Sequence, residues 1–314
     1  MHNKQALTYD DVYLVPRYSD LETRADADTS ILFGNKIFDL PVMPANMETV
    51  INDNWAKYFS ENNYFYVMHR FNNVTVPFVR TANTLQCWRT ISISTGVNED
   101  SLKELEIIST EKLHVDFVTI DIAHGHHIKV KKRIKDIKRL LPNAFIIAGN
   151  ITTKEAVKDL EAWGADAVKV GIGPGKACTT KLQTGFHIPM FTAVQNCAEV
   201  AKVPIIADGG IRYYGDIAKA LTAGATMVMA GSLFASCTDS PAPIVNGRKV
   251  YYGSASFAAK KENKNVEGTL LELEQSISLQ EKLAEIKQAL QSSISYAGGT
   301  NLNCLNSTDY VTIK

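Results

Sequence analysis

Val170 to Thr180 reads V-G-I-G-P-G-K-A-C-T-T and directly follows a β-rich run, Ala165–Val170. Three glycines let backbone N–H and C=O groups crowd around a ligand or ion, because no Cβ stands in the way. Pro174 stiffens the loop between them, and Cys178 closes it at fixed reach. Alone, such a loop is equally a tight strand-to-helix turn with a packed cysteine. The surrounding chain decides between the two.

Seven further β-rich runs flank it: Pro41–Met47, Tyr64–His69, Thr90–Gly96, Phe117–Ala123, Ala144–Asn150, Pro204–Gly210 and Met227–Leu233. Each is nearly continuous in apolar residues, as strands buried on both faces are. Amphipathic segments such as Ile128–Leu141 and Lys154–Trp163 separate them, and Gly164 and Gly224 are placed as helix C-cap glycines. The pattern predicts an α/β fold, a (β/α)8 TIM barrel, over a doubly wound open sheet. One barrel domain over residues 1–314 is expected, with 235–268 as a polar flap-like insertion after strand eight. Leu270–Ser295 reads as a helical run with Leu279, Leu283, Ile286 and Leu290 on one face. The glycine-rich tail Ser295-Tyr296-Ala297-Gly298-Gly299 is expected to reach a neighbouring subunit.

Composition excludes several classes. The formal net charge is +0, against an extended nucleic-acid surface or a polybasic membrane patch. No stretch approaches the roughly 18 apolar residues of a membrane span. The opening Met1-His2-Asn3-Lys4-Gln5 lacks the apolar core of a secretory signal. The five cysteines form no C-x-x-C pair, so neither a zinc knot nor a disulfide framework is expected, and a reducing cytoplasm suits them.

Several runs end in residues with chemistry: Asn46-Met47, His69-Arg70, Asp121, Asn150, Cys178, Asp208-Gly209-Gly210 and Gly231-Ser232. One polar residue closing a strand is an ordinary cap; seven together mark the site face of a barrel. The last two loops suit a phosphate, held by backbone N–H groups. Asp208 would repel that phosphate and fits ribose hydroxyls beside it instead. Cys178 is the candidate nucleophile. His124, His126 and His127 have no acidic or cysteine partner at ligand spacing and read as a hydrogen-bonding loop near a cofactor rather than a metal site. Glu267, in N-V-E-G, reads on its own as a solvated charge.

The loop G-I-G-P-G-K-A-C-T-T together with A-D-G-G-I-R resembles the IMP dehydrogenase/GMP reductase family. The likeness runs from Leu7-Thr8-Tyr9-Asp10-Asp11-Val12 to the tail. P-A-N-M-E-T-V, Y-V-M-H-R-F, T-I-D-I-A-H-G-H, I-I-A-G-N and N-V-E-G favour its bacterial reductase branch. There is no room between the second and third runs for the regulatory domains of the dehydrogenases, and no Arg-Tyr pair is evident in 235–268.

The resemblance implies NADPH-dependent reductive deamination of GMP to IMP through a thioimidate on Cys178, with Thr180 and Glu267 as the proton relay. It places the phosphate among Asp208, Gly209, Gly210, Gly231, Ser232, Gly253 and Ser254. Met47, Asp121, Ile122 and Ala123 line the nicotinamide pocket, and Lys264 contacts the cofactor where relatives often carry arginine. Carbonyls of Gly173, Gly175 and Cys178 hold a potassium ion, and the assembly is a homotetramer. A dehydrogenase lacking regulatory domains and a non-catalytic purine-nucleotide-binding barrel are the alternatives.

Overall fold

The computed structural model describes residues 5–85, 87–257 and 266–313. Short strands β1 (Val12–Leu14), β2 (Ile31–Phe33) and β3 (Lys36–Phe38) precede the main sheet. That sheet contains β4 (Val42–Pro44), β5 (Ser92–Thr95), β6 (Phe117–Asp121), β7 (Phe145–Ile151), β8 (Ala167–Val170), β9 (Ile205–Asp208) and β10 (Met227–Ala230).

Six of these strands lie side by side in chain order, and β4 then pairs in parallel with β10, Val42 opposite Val228. First strand beside last is the order of a curled, barrel-like sheet. A doubly wound sheet would reverse its order midway. The second expected run contributes less than a strand. Met68 donates to Ser92 O and accepts from Ser94 N, both at 3.1 Å, and forms one parallel bridge with Ile93. No ladder among the described residues joins this run to β4. Side chains hold it instead: Tyr66 donates its hydroxyl to Thr90 O at 2.9 Å and Ser94 donates to Met68 O at 2.7 Å.

The helices form where periodicity and caps agree. Between β6 and β7, the helix Ile128–Leu140 buries Val130, Ile134 and Ile137 and turns its lysines outward. The next, Lys154–Trp163, starts on Thr153, which accepts from Ala156 N, and ends on left-handed Gly164. The helix Tyr214–Thr222 stops before Gly224, whose φ is also positive.

The chain beyond β10 departs from expectation. Leu270–Leu273 is a strand, not the start of a helix. As β13 it joins β11 (Ile244–Val245) and β12 (Arg248–Tyr252) in a three-stranded antiparallel sheet. Leu270 and Glu272 face outward and Leu273 inward, an alternation with the two-residue period of a strand. The helix spans Leu279–Tyr296, begins with a Ser278/Glu281 capping box and buries all four of the expected apolar residues. The tail folds back on its own chain: Arg17 N donates to Tyr296 O at 2.8 Å, and β14 (Tyr310–Thr312), the last of the strands, pairs antiparallel with β1. Among the described residues no helix is long and apolar enough to cross a membrane.

Two glycines test how tightly this frame is set. Gly224 has φ +104, and a Cβ there would lie 2.5 Å from Ala198 Cβ; Gly185 has φ +77 with nothing within 4 Å. Gly185→Ala is expected to lose only the left-handed strain, about 1–2 kcal/mol. Gly224→Ala adds a clash between two helices and should lose more. Urea denaturation of the two variants measures the difference; equal losses would mean the Gly224 contact relaxes freely.

Candidate active site

Every strand-end residue expected to carry chemistry except His69 borders one cleft of about 380 Å³ at the C-terminal ends of the strands. Its reactive centre is the loop after β8. Cys178 donates its N–H to Gly175 O at 3.0 Å, which turns the loop back just before the short helix Thr180–Thr184. The segment 267–269 is laced to this turn. Thr179 N donates to Glu267 O at 2.9 Å and Thr269 N donates to Ala177 O at 2.8 Å, around a Cys178–Gly268 bridge.

That lacing brings Glu267 to Thr180, whose hydroxyl donates to Glu267 Oε2 at 2.6 Å. Cys178 Sγ lies 3.2 Å from the same hydroxyl oxygen. With its proton committed to the carboxylate, Thr180 presents a lone pair to the thiol. Thiol, hydroxyl and carboxylate thus form a continuous proton path. Glu267 is not a solvated charge; it is half-buried.

The cleft floor is electrostatic. Lys169, 1% exposed, points from β8 to two carboxylates. It donates to Asp121 Oδ1 at 2.8 Å and to Asp208 Oδ2. Asn46 donates to Asp121 Oδ2 at 3.1 Å, and Asn150 donates to Asp208 Oδ2 at 2.8 Å and to Gly171 O at 2.7 Å. Burial lowers the ammonium pKa of Lys169, but the two acids outweigh it and hold it above the ordinary lysine value. Burial likewise raises Asp121, yet Lys169, Arg70 and the hydrogen bonds from Lys169 and Asn46 hold it below the ordinary value.

The remaining expected residues sort by position. Gly209, Gly210, Gly231, Ser232, Gly253 and Ser254 border the cleft on the side of the last strands, and Met47, Ile122 and Ala123 border it elsewhere. Gly173 and Gly175 lie in the cysteine loop, and Lys264 lies outside the described residues. Gly231 is needed for close approach, since a Cβ would lie 2.4 Å from the Tyr251 hydroxyl.

Two of the three histidines find partners on neighbouring helices. His126 pairs with Asp159 at 2.7 Å, and His127 caps the following helix by accepting from Lys129 N at 3.1 Å. No group of three or more His, Cys, Asp or Glu among the described residues could hold a metal. His69 is buried, which pulls its pKa down to about 4, while Arg70 enters the cleft wall and donates to Asp121 O at 3.3 Å. Arg70 Nε and Asn150 Oδ1 are buried without a partner among the described residues, and both residues line the cleft; a polar ligand would satisfy such atoms.

Two cleft residues escaped the sequence reading. Lys169 was one charge in a run read as uniformly apolar, and its isolation in A-V-K-V was the available signal. Tyr251 carried no signal, because it lies within 235–268, which was read as a polar flap.

A family profile described as the IMP dehydrogenase / GMP reductase domain matches residues 6–313. The chain is 48% identical over 313 residues to a protein named GMP reductase from Staphylococcus epidermidis, covering 98% of this chain and 96% of that one. It is equally similar, at 48%, to proteins of that name from Oceanobacillus iheyensis, with 98% and 95% covered, and from Staphylococcus aureus, with 98% and 96%.

The thiols differ in accessibility and acidity. Cys197 and Cys237 are fully buried, and burial pushes their pKa values up to about 12 and about 11. Iodoacetamide near neutral pH is expected to label Cys178 and the exposed Cys87 in the native protein. Cys197 and Cys237 should react only after unfolding. Peptide mass spectrometry checks this; early labelling of Cys197 with Cys178 spared would contradict the geometry.

Proposed function

The chain belongs to the IMP dehydrogenase/GMP reductase family, and from that premise we propose a GMP reductase that works through a covalent bond between Cys178 and C2 of guanine. The net reaction takes GMP, NADPH and two protons to IMP, NADP+ and ammonium. The observation that carries this reading is the unbroken Cys178–Thr180–Glu267 path.

The path supplies what the substitution requires. An amino group leaves poorly until protonated. As Sγ adds to C2, the thiol proton passes to Thr180 while the Thr180 proton passes to Glu267. The carboxyl returns its proton by the same route to the departing nitrogen, which leaves as ammonia with the C2–N bond pair. A thioimidate on Cys178 remains, and the hard displacement has become two easier steps. NADPH, when bound, supplies the hydride that replaces sulfur at C2. The thiolate then departs and takes up a proton delivered through Glu267 and Thr180, which restores the thiol; this proton and the one that turns ammonia into ammonium are the two of the net reaction.

The rest of the cleft divides between the ligands. Asp208, Gly209, Gly210, Gly231, Ser232, Gly253 and Ser254 would hold ribose and phosphate. Met47, Asp121, Ile122 and Ala123, with Lys264, would hold the cofactor, and Arg70 offers an unpaired buried Nε beside them. To this reading also belong a homotetramer, a cytoplasmic home, and a potassium ion on the carbonyls of Gly173, Gly175 and Cys178. Neutral carbonyl oxygens suit such a cation, and the Gly175 oxygen keeps a second lone pair beyond the one that Cys178 N uses.

Incubation with GMP and NADPH should consume NADPH and release ammonia in equal amounts. NADH production from IMP and NAD without the first activity would favour the dehydrogenase, and neither activity would favour a binding barrel. Cys178→Ala should abolish turnover while still binding GMP. Glu267→Gln should slow ammonia release by roughly 10²- to 10⁴-fold, with GMP affinity nearly unchanged. Wild-type rates in either variant would remove that residue from the mechanism.

A further inference from the structure

Lys169 takes no part in the proton relay, yet its ammonium sits between the two carboxylates of the cleft floor. Stability does not account for it. Sinking a cation and two acids into a barrel interior costs desolvation that a well-packed apolar side chain would avoid. What the cation does is asymmetric. On Asp208 it engages Oδ2, and Asn150 donates to that same oxygen at 2.8 Å while anchored to Gly171 O. Asp208 Oδ1 takes no hydrogen bond among the described residues and belongs to a side chain that borders the cleft.

We infer that Lys169 is a positioning residue for sugar recognition. With Asn150, it fixes the plane of the Asp208 carboxylate so that Oδ1 meets the ribose 2′-hydroxyl of the nucleotide. This rests on GMP being the substrate. The carboxylate torsion of aspartate is otherwise broad, so a free Asp208 would swing. Two donors on one oxygen fix the other oxygen in place before the ligand arrives, removing an ordering cost from binding. The same cation holds Asp121 on the cofactor side, so the two walls of the cleft share one tether.

The test compares GMP with 2′-deoxy-GMP in the wild type, in Lys169→Met and in Lys169→Met/Asp121→Asn. The double variant keeps the clamp broken while removing a carboxylate that would otherwise be left unpaired, in case the single variant does not fold. Wild-type kcat/KM should favour GMP by roughly 10- to 100-fold, the range of one hydrogen bond to a charged acceptor. In the folded variants the ratio should fall to within about threefold, mainly through a higher KM for GMP. A merely structural lysine would lower both substrates together and leave the ratio intact, and that result overturns the inference. So does a wild type that reduces GMP without discriminating between the sugars. A wild type that reduces neither nucleotide fails at the earlier step, the assignment of GMP itself.

Discussion

The lacing of residues 267–269 onto residues 177–179 is the constraint on which the site depends. Two backbone hydrogen bonds and a bridge join segments nearly ninety positions apart in the chain. They set the side chains of Thr180 and Glu267 face to face. A carboxylate on an unlaced loop would spend its time in water, and the 2.6 Å hydrogen bond from Thr180 would have no fixed partner. The small sheet that includes Arg248–Tyr252 and Leu270–Leu273 supports the lacing, because Leu270–Leu273 follows the laced segment directly and pairs with Arg248–Tyr252.

Below that lies a second, electrostatic frame. The strand ends of β6, β8 and β9 would otherwise hold a cluster of like charges at close quarters, which is unfavourable in a dry interior. A single ammonium placed among them from β8 lets two carboxylates stand on the floor of one cleft. The Asn46 amide occupies the Asp121 oxygen that Lys169 leaves, and the Asn150 amide shares with Lys169 one oxygen of Asp208. One ammonium between two carboxylates leaves this trio net negative, while the loops after β9 and β10 offer backbone and hydroxyl groups.

What could be read from the sequence follows the range of the forces involved. The helix Lys154–Trp163 was legible to the residue because its cap, apolar face and terminal glycine are local. The strand ends were legible because burial on both faces makes most strand interiors apolar, Lys169, Ser92, Ser94 and Thr119 being exceptions. Leu270–Leu273 was misread, since four residues with three leucines fit a helix as well as a strand and only pairing with Arg248–Tyr252 decides. The second run looked like a strand by composition, yet its place at the seam of the sheet leaves it one bridge. Glu267 gained meaning only through likeness to a family, because nothing near it in the chain announces Thr180. The histidine run was read as a hydrogen-bonding loop, and two of its members hydrogen-bond, His126 to Asp159 and His127 at a helix start.

The pairing of β4 with β10, and of β1 with β14, has a consequence for the order of assembly. Strands β5 to β10 can dock one after another as the polypeptide emerges during synthesis, each on its predecessor. Strand β4 must wait for β10, and Val12 for Thr312 at the far terminus. Those non-local closures carry the largest loop entropy and form last. Until β10 has left the ribosome, the nascent sheet carries an unsealed edge, and that interval is when it is most open to misassembly.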